Sequence, residues 1–178
     1  MRVSVAVGLV VFAAWSLSAS AQWRDWDAEF DEEKKTWKEI QTRIPSYPKP
    51  ENLLRVQTGA ATSHQFYVDA SSISLGEDGV VRYTVVVRAA GGATNVTFEG
   101  MRCETREQKL YALGRNDSIW VRAREPKWQR VVLRDLTPHH HTLYYEYFCP
   151  APTQPTPPAR AVDALKRGVG LGRAPGID

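Results

Sequence analysis

The chain has 178 residues, a mass of 20.0 kDa and a formal net charge of +3. With 43% hydrophobic and 10% aromatic residues it has the composition of a folded globule, which excludes wholesale disorder. Two cysteines are too few for a disulfide-knotted miniprotein, and the sequence after the first stretch has no apolar run long enough for a polytopic helical membrane protein.

The N-terminus reads as a targeting segment. Arg2 supplies the positive start, residues 4–17 are apolar, and Ala19-Ser20-Ala21 is a small-residue cleavage site. Residues 1–21 are therefore expected to be removed, leaving a mature chain that starts at Gln22 and has no transmembrane segment. An uncleaved anchor is outweighed by the shortness of the apolar stretch. The expected location is the periplasm, with the cell surface or medium as the alternative.

Residues 22–36 form an acidic segment with Trp23, Trp26 and Phe30. Phe30, Trp37, Ile40 and Ile44 recur at roughly helical spacing, which predicts a helix over 31–43; Ile40, Thr42 and Ile44 also fit a strand. Pro45, Pro48 and Pro50 then forbid regular structure.

The centre reads as β. A short strand is expected to end at Val56, and another spans 66–69. Gly76-Glu77-Asp78-Gly79 is a hairpin turn into a strand over 80–89. That strand puts Val81, Tyr83, Val85 and Val87 on one face and Arg82, Thr84 and Arg88 on the other, interrupted by Val86, so it is expected to be half-buried. Gly91-Gly92 turns the chain into a strand over 94–104. There Val96 and Phe98 are out of phase with Met101 and Cys103, which predicts a β-bulge at Gly100. Segments 109–113, 118–122 and 128–133 complete an antiparallel meander.

Thr137-Pro138 opens a helix to Phe148 whose stripe is Leu143, Tyr144, Tyr147 and Phe148. Residues 150–178, rich in Pro and then in Gly, read as a flexible tail with a short helix over 161–167. The fold class is α+β: an antiparallel sheet of about five or six strands with a C-terminal helix packed on it, in one domain over 37–149. Export and the even count point to one disulfide, Cys103 to Cys149, stapling this helix to the strand.

Four features bear on chemistry. His139-His140-His141 has a metal-binding composition, but consecutive helical residues point in different directions and no acidic or Cys partner is spaced around them. Solvated surface histidines are the favoured reading, with no metal or other cofactor expected; a metal-dependent enzyme using His139, His140 and His141 is the outweighed third reading. Eleven basic against five acidic residues lie between Arg82 and Arg134. Such a basic sheet face, with Arg82, Arg88, Arg102 and Arg106, offers a contact surface for an envelope protein or an anionic glycan or lipid. Nucleic acid is not an expected partner for an exported protein. Arg102, Glu104 and Arg106 share a face and can pair. Ser63, His64 and Asp69 hold the letters of a triad without a nucleophile elbow, so no enzyme is expected.

Five runs resemble a known family: Glu51-Asn52-Leu53-Leu54, Phe66-Tyr67-Val68-Asp69-Ala70-Ser71-Ser72-Ile73, Asp78-Gly79-Val80-Val81-Arg82-Tyr83-Thr84, Gly100-Met101-Arg102-Cys103-Glu104-Thr105-Arg106 and Leu143-Tyr144-Tyr145-Glu146-Tyr147-Phe148-Cys149. In this order, over 37–149, they resemble the cryptic neisserial protein-like family of exported proteobacterial proteins. The resemblance implies export from a Gram-negative cell and makes both cysteines part of the shared pattern. It brings no catalytic residues. A looser similarity is to surface adhesin E-like proteins, which makes a surface-exposed adhesin the alternative function. The leading expectation is a non-enzymatic periplasmic protein that acts by binding.

Overall fold

Valine and aromatic residues alternate through the centre of the chain, and the structure, a computed structural model, turns them into one antiparallel sheet. It describes residues 36–59, 61–132, 137–151 and 154–172. Residues 1–21, residues 22–35 and thus the first five residues of the helix expected over 31–43 lie outside the described residues.

The strands are β1 (Leu53–Val56), β2 (Gln65–Asp69), β3 (Ser74–Leu75), β4 (Val80–Arg88), β5 (Thr94–Arg102), β6 (Glu107–Gly114), β7 (Trp120–Arg122) and β8 (Gln129–Arg130). They are ordered β1-β2-β4-β5-β6-β7. β3 shares the β2 side of β4, and β8 pairs with β6. Among the described residues, the eight strands therefore fill six lanes, the meander that short connections favour. A 3-10 turn, Ala70–Ser72, interrupts the second lane; Asp69 caps it by accepting from the Ser71 N–H at 2.9 Å. Gly79, at φ 74°, supplies the left-handed residue of the β3–β4 hairpin.

A helical layer packs on one face. It begins as α1 (Pro138–Thr142) and continues without a break as a π-helical stretch, Leu143–Phe148. The expected stripe of Leu143, Tyr144, Tyr147 and Phe148 is buried. It meets Val81, Tyr83, Val85 and Met101 from the central strands. Cys103 and Cys149 are joined in a disulfide, with Cα atoms 5.3 Å apart and a sequence separation of 46. Closing a loop of that length stabilises by about 4 kcal/mol in the chain-entropy account.

The structure departs from four expectations. First, β4 is buried on both faces from Val80 to Val86, not half-buried. Second, residues 37–43 are neither helix nor strand. With the rest of the segment up to Pro48, they run as an arm over the sheet face opposite the helices. Trp37 meets Trp128 edge-on at 5.9 Å, Tyr47 packs on Trp120 at 5.3 Å, and Glu39 accepts from Lys109, Tyr111 and Trp128.

Third, β5 carries no bulge at Gly100. Because both faces are covered, the two apolar phases of β5 each have a place: Val96 and Phe98 under the arm, Met101 under the helices. The register shift sits opposite Phe98 and Glu99, where Tyr111 of β6 is the extra residue. Gly100 is needed for another reason. A Cβ there would lie 2.7 Å from the Tyr111 ring, which rests on the Gly100 backbone.

Fourth, the tail is docked over its described part. α2 (Pro158–Arg167) starts with proline at its first position and ends at Gly168 in the left-handed conformation. It buries Ala161, Ala164 and Leu165 in the same core. Further on, the Leu171 N–H donates to the Glu146 carbonyl oxygen.

Candidate functional site

The β4–β5 register brings one acidic residue onto the helix-facing side of the sheet. Tyr83 pairs with Glu99, and Val81 with Met101, so Glu99 sits among apolar neighbours. It is 4% exposed. A bare carboxylate is costly there, and three donors compensate it. Thr97 Oγ1 donates to Oε1 at 2.7 Å, the Tyr83 hydroxyl to Oε2 at 3.2 Å, and His140 Nε2 lies 2.8 Å from Oε2.

His139 and His140 both reach this place from α1, their rings 4.1 Å apart. Neighbouring helical positions diverge by about 100°, a spread that two imidazoles can span while a third cannot. His141 accordingly points elsewhere, with its ring 4.5 Å from Tyr145. His139 is 4% exposed and stacks on Phe66 at 4.7 Å. Its Nδ1 has no hydrogen-bond partner among the described residues. Glu99, His139 and His140 each offer one ligand atom, and these atoms lie within 4.8 Å of one another. The surface histidines expected from sequence are thus corrected for two of the three.

The electrostatics follow from burial. Burial pushes the Glu99 carboxyl up, but the charge and hydrogen bond of His140, with His139 and Thr97, hold it well below its usual range. Burial and the charge of His140 push His139 down to about 3 against the pull of Glu99, so it is neutral at pH 7. Burial also lowers His140, yet Glu99 outweighs it and raises the imidazole above its ordinary value. The geometry is that of a buried carboxylate–imidazole pair beside a neutral imidazole. His140 also forms one wall of a polar cavity of about 160 Å³, with Gln108, Gln129, Arg130 and Thr137 on others.

The four arginines do not assemble a contact surface. Arg82 is 5% exposed and bound to Asp78 at 2.6 Å, with Nε donating to Thr42 Oγ1. Arg102 lies over the Trp37 ring at 4.0 Å and pairs with Glu104 at 2.6 Å. Arg106 stands toward the helices, 5.3 Å from the Tyr145 ring. Arg88 alone among them is exposed, over Tyr67. The face expected to be solvated is the one that the arm covers. The triad letters serve separate local structures: His64 Nδ1 accepts from the Ala90 N–H, and Asp69 caps its turn.

The chain matches the CNP1-like family over residues 32–166, about three-quarters of its length. It belongs to that family. This is the cryptic neisserial protein-like family of the sequence resemblance, and the match runs beyond Cys149 to take in most of α2. None of the curated proteins and none of the solved structures compared matches the chain.

Glu99 is the site residue that sequence reasoning missed. Its signal was present: an acidic residue two positions before Met101 on a strand shares the side of that core methionine. Assigning β5 a single buried face concealed it.

Proposed function

We propose that this CNP1-like protein is an exported, periplasmic, non-enzymatic binding protein whose site is the polar cavity beside His140. The observation that supports this most is the position of His140, which joins a solvent-reachable cavity to the buried Glu99 carboxylate. At about 160 Å³ the cavity is smaller than the roughly 300 Å³ at which small-molecule sites begin. It suits an ion or a ligand of a few heavy atoms. The leader pattern of Arg2, the apolar run and Ala19-Ser20-Ala21 supports export. So does the Cys103–Cys149 disulfide, a bond that persists in oxidising compartments.

The test is protease accessibility on intact cells, compared with cells whose outer membrane has been opened. Protection until opening, with a mature chain starting at Gln22, is the expected result. Cleavage on intact cells would overturn the periplasmic location and put the adhesin-like, surface-exposed reading first.

A further inference from the structure

Glu99, His139 and His140 hold more hydrogen-bonding and ligating capacity than a structural ion pair uses. We propose that these three side chains bind a divalent transition-metal ion, with zinc as the ion their chemistry fits. The proposal deepens the binding reading above and rests on its site, not on its compartment.

The donor set comes first. Two imidazole nitrogens and a carboxylate oxygen suit zinc and its neighbours, and they are poor ligands for calcium or magnesium. The spacing is close to what such an ion requires. Bonds of about 2.0–2.2 Å in a tetrahedron put ligand atoms about 3.3 Å apart. The three atoms here lie within 4.8 Å of one another, and Glu99 Oε2 and His140 Nε2 are at 2.8 Å. Binding therefore asks the side chains to open the short separation and to close the longest one.

Two further observations point the same way. His139 is buried with an unpartnered Nδ1, a situation that costs free energy unless something else satisfies the ring. The Glu99 carboxylate is already oriented by Thr97 and Tyr83, the kind of outer support that fixes metal-ligating carboxylates. Of the three, His140 borders the polar cavity, the side from which an ion would enter. Three protein ligands leave a fourth position for water. The cysteines are not competitors for the ion, because both are in the disulfide.

The experiment uses the full mature chain purified without an affinity tag and stripped with a chelator. It is then equilibrated with Co2+ and, separately, with Zn2+. One bound ion per chain is expected, with the visible absorption of tetrahedral Co2+ and its displacement by Zn2+. His139→Asn and His140→Asn should lose the bound ion, while His141→Asn keeps it. Imidazole nitrogen NMR of the unaltered protein locates the ion even where a variant fails to fold: shifts on adding Zn2+ should fall on His139 and His140. Absence of stoichiometric metal, or shifts confined to His64 or His141, would overturn the proposal. Failure to bind metal leaves the protease result as it stands, and cleavage on intact cells leaves the metal count as it stands.

Discussion

Glu99 Oε2 on the central strand β5 lies 2.8 Å from His140 Nε2 on the helix packed above it. This contact ties the sheet to its helical layer through a buried carboxylate–imidazole pair, some distance along the helix from the disulfide. Its consequence for stability is asymmetric. His140→Ala leaves Glu99 with Tyr83 and Thr97 as its donors, and an unpaired buried charge costs about 3–5 kcal/mol. The double change Glu99→Leu with His140→Leu removes both charges and should cost less than the single one. Urea unfolding of the oxidised, metal-free protein measures both. A double variant as unstable as the sum of the Glu99→Leu and His140→Leu singles would show that the pair is not coupled.

The arm over the opposite face depends on two carboxylates. Burial raises both carboxyls, but Lys109, Tyr111 and Trp128 at Glu39, and Arg82 with the Ile40 and Val80 N–H groups at Asp78, hold them below their ordinary values. A carboxyl lowered in the folded state adds stability above its unfolded value, here 4.5 for Glu39 and 3.8 for Asp78, and loses it as pH falls through the folded one. Acidification from pH 7 should therefore begin to weaken the arm below about pH 4.5 and release it only as pH falls through the lower folded values. Tryptophan emission from Trp37 and Trp128 should report it, and Glu39→Gln should weaken the arm at neutral pH. An emission spectrum unchanged down to pH 3 would contradict this account.

Gly100 is expected to resist substitution because of Tyr111, not because of a bulge. Tyr111 cannot swing away freely, since its hydroxyl donates to Glu39 at 2.7 Å and its ring packs 5.5 Å from Phe98. Gly100→Val should cost about 1–3 kcal/mol, the usual range for overpacking. The same change made in a Tyr111→Ala background should cost clearly less. Equal costs in the two backgrounds would assign the glycine some other role.

The C-terminal helix is part of the folded unit. Leu165 is 3% exposed against the core, so Leu165→Ala should cost about 2–5 kcal/mol. Thermal unfolding measures it. A change of under half a kilocalorie would mean that α2 does not pack in solution as described.

Much of the fold was legible because its signals are local. Alternating valines, the D-G turn and proline at a first helical turn fix strands, hairpin and helix over short stretches. The Leu143, Tyr144, Tyr147 and Phe148 stripe announced the buried side of its helix in the same way. What the sequence misplaced were partners distant along the chain. The arm contacts Asp78, Lys109 and Trp128 across separations of 38 to 89 residues, and no local period announces such contacts.

One error produced several others. Reading the sheet as one-sided left Arg82 and Arg102 in solvent, required a bulge at Gly100 and hid Glu99. With both faces covered, all three follow. The sequence by itself determined the strands, their meander, the helix over them, the cysteine pair and the family. The tertiary structure alone decided which charges are buried. That choice depends on which layer covers each face, and covering is a long-range competition between burial and hydrogen bonding that local residue patterns do not encode.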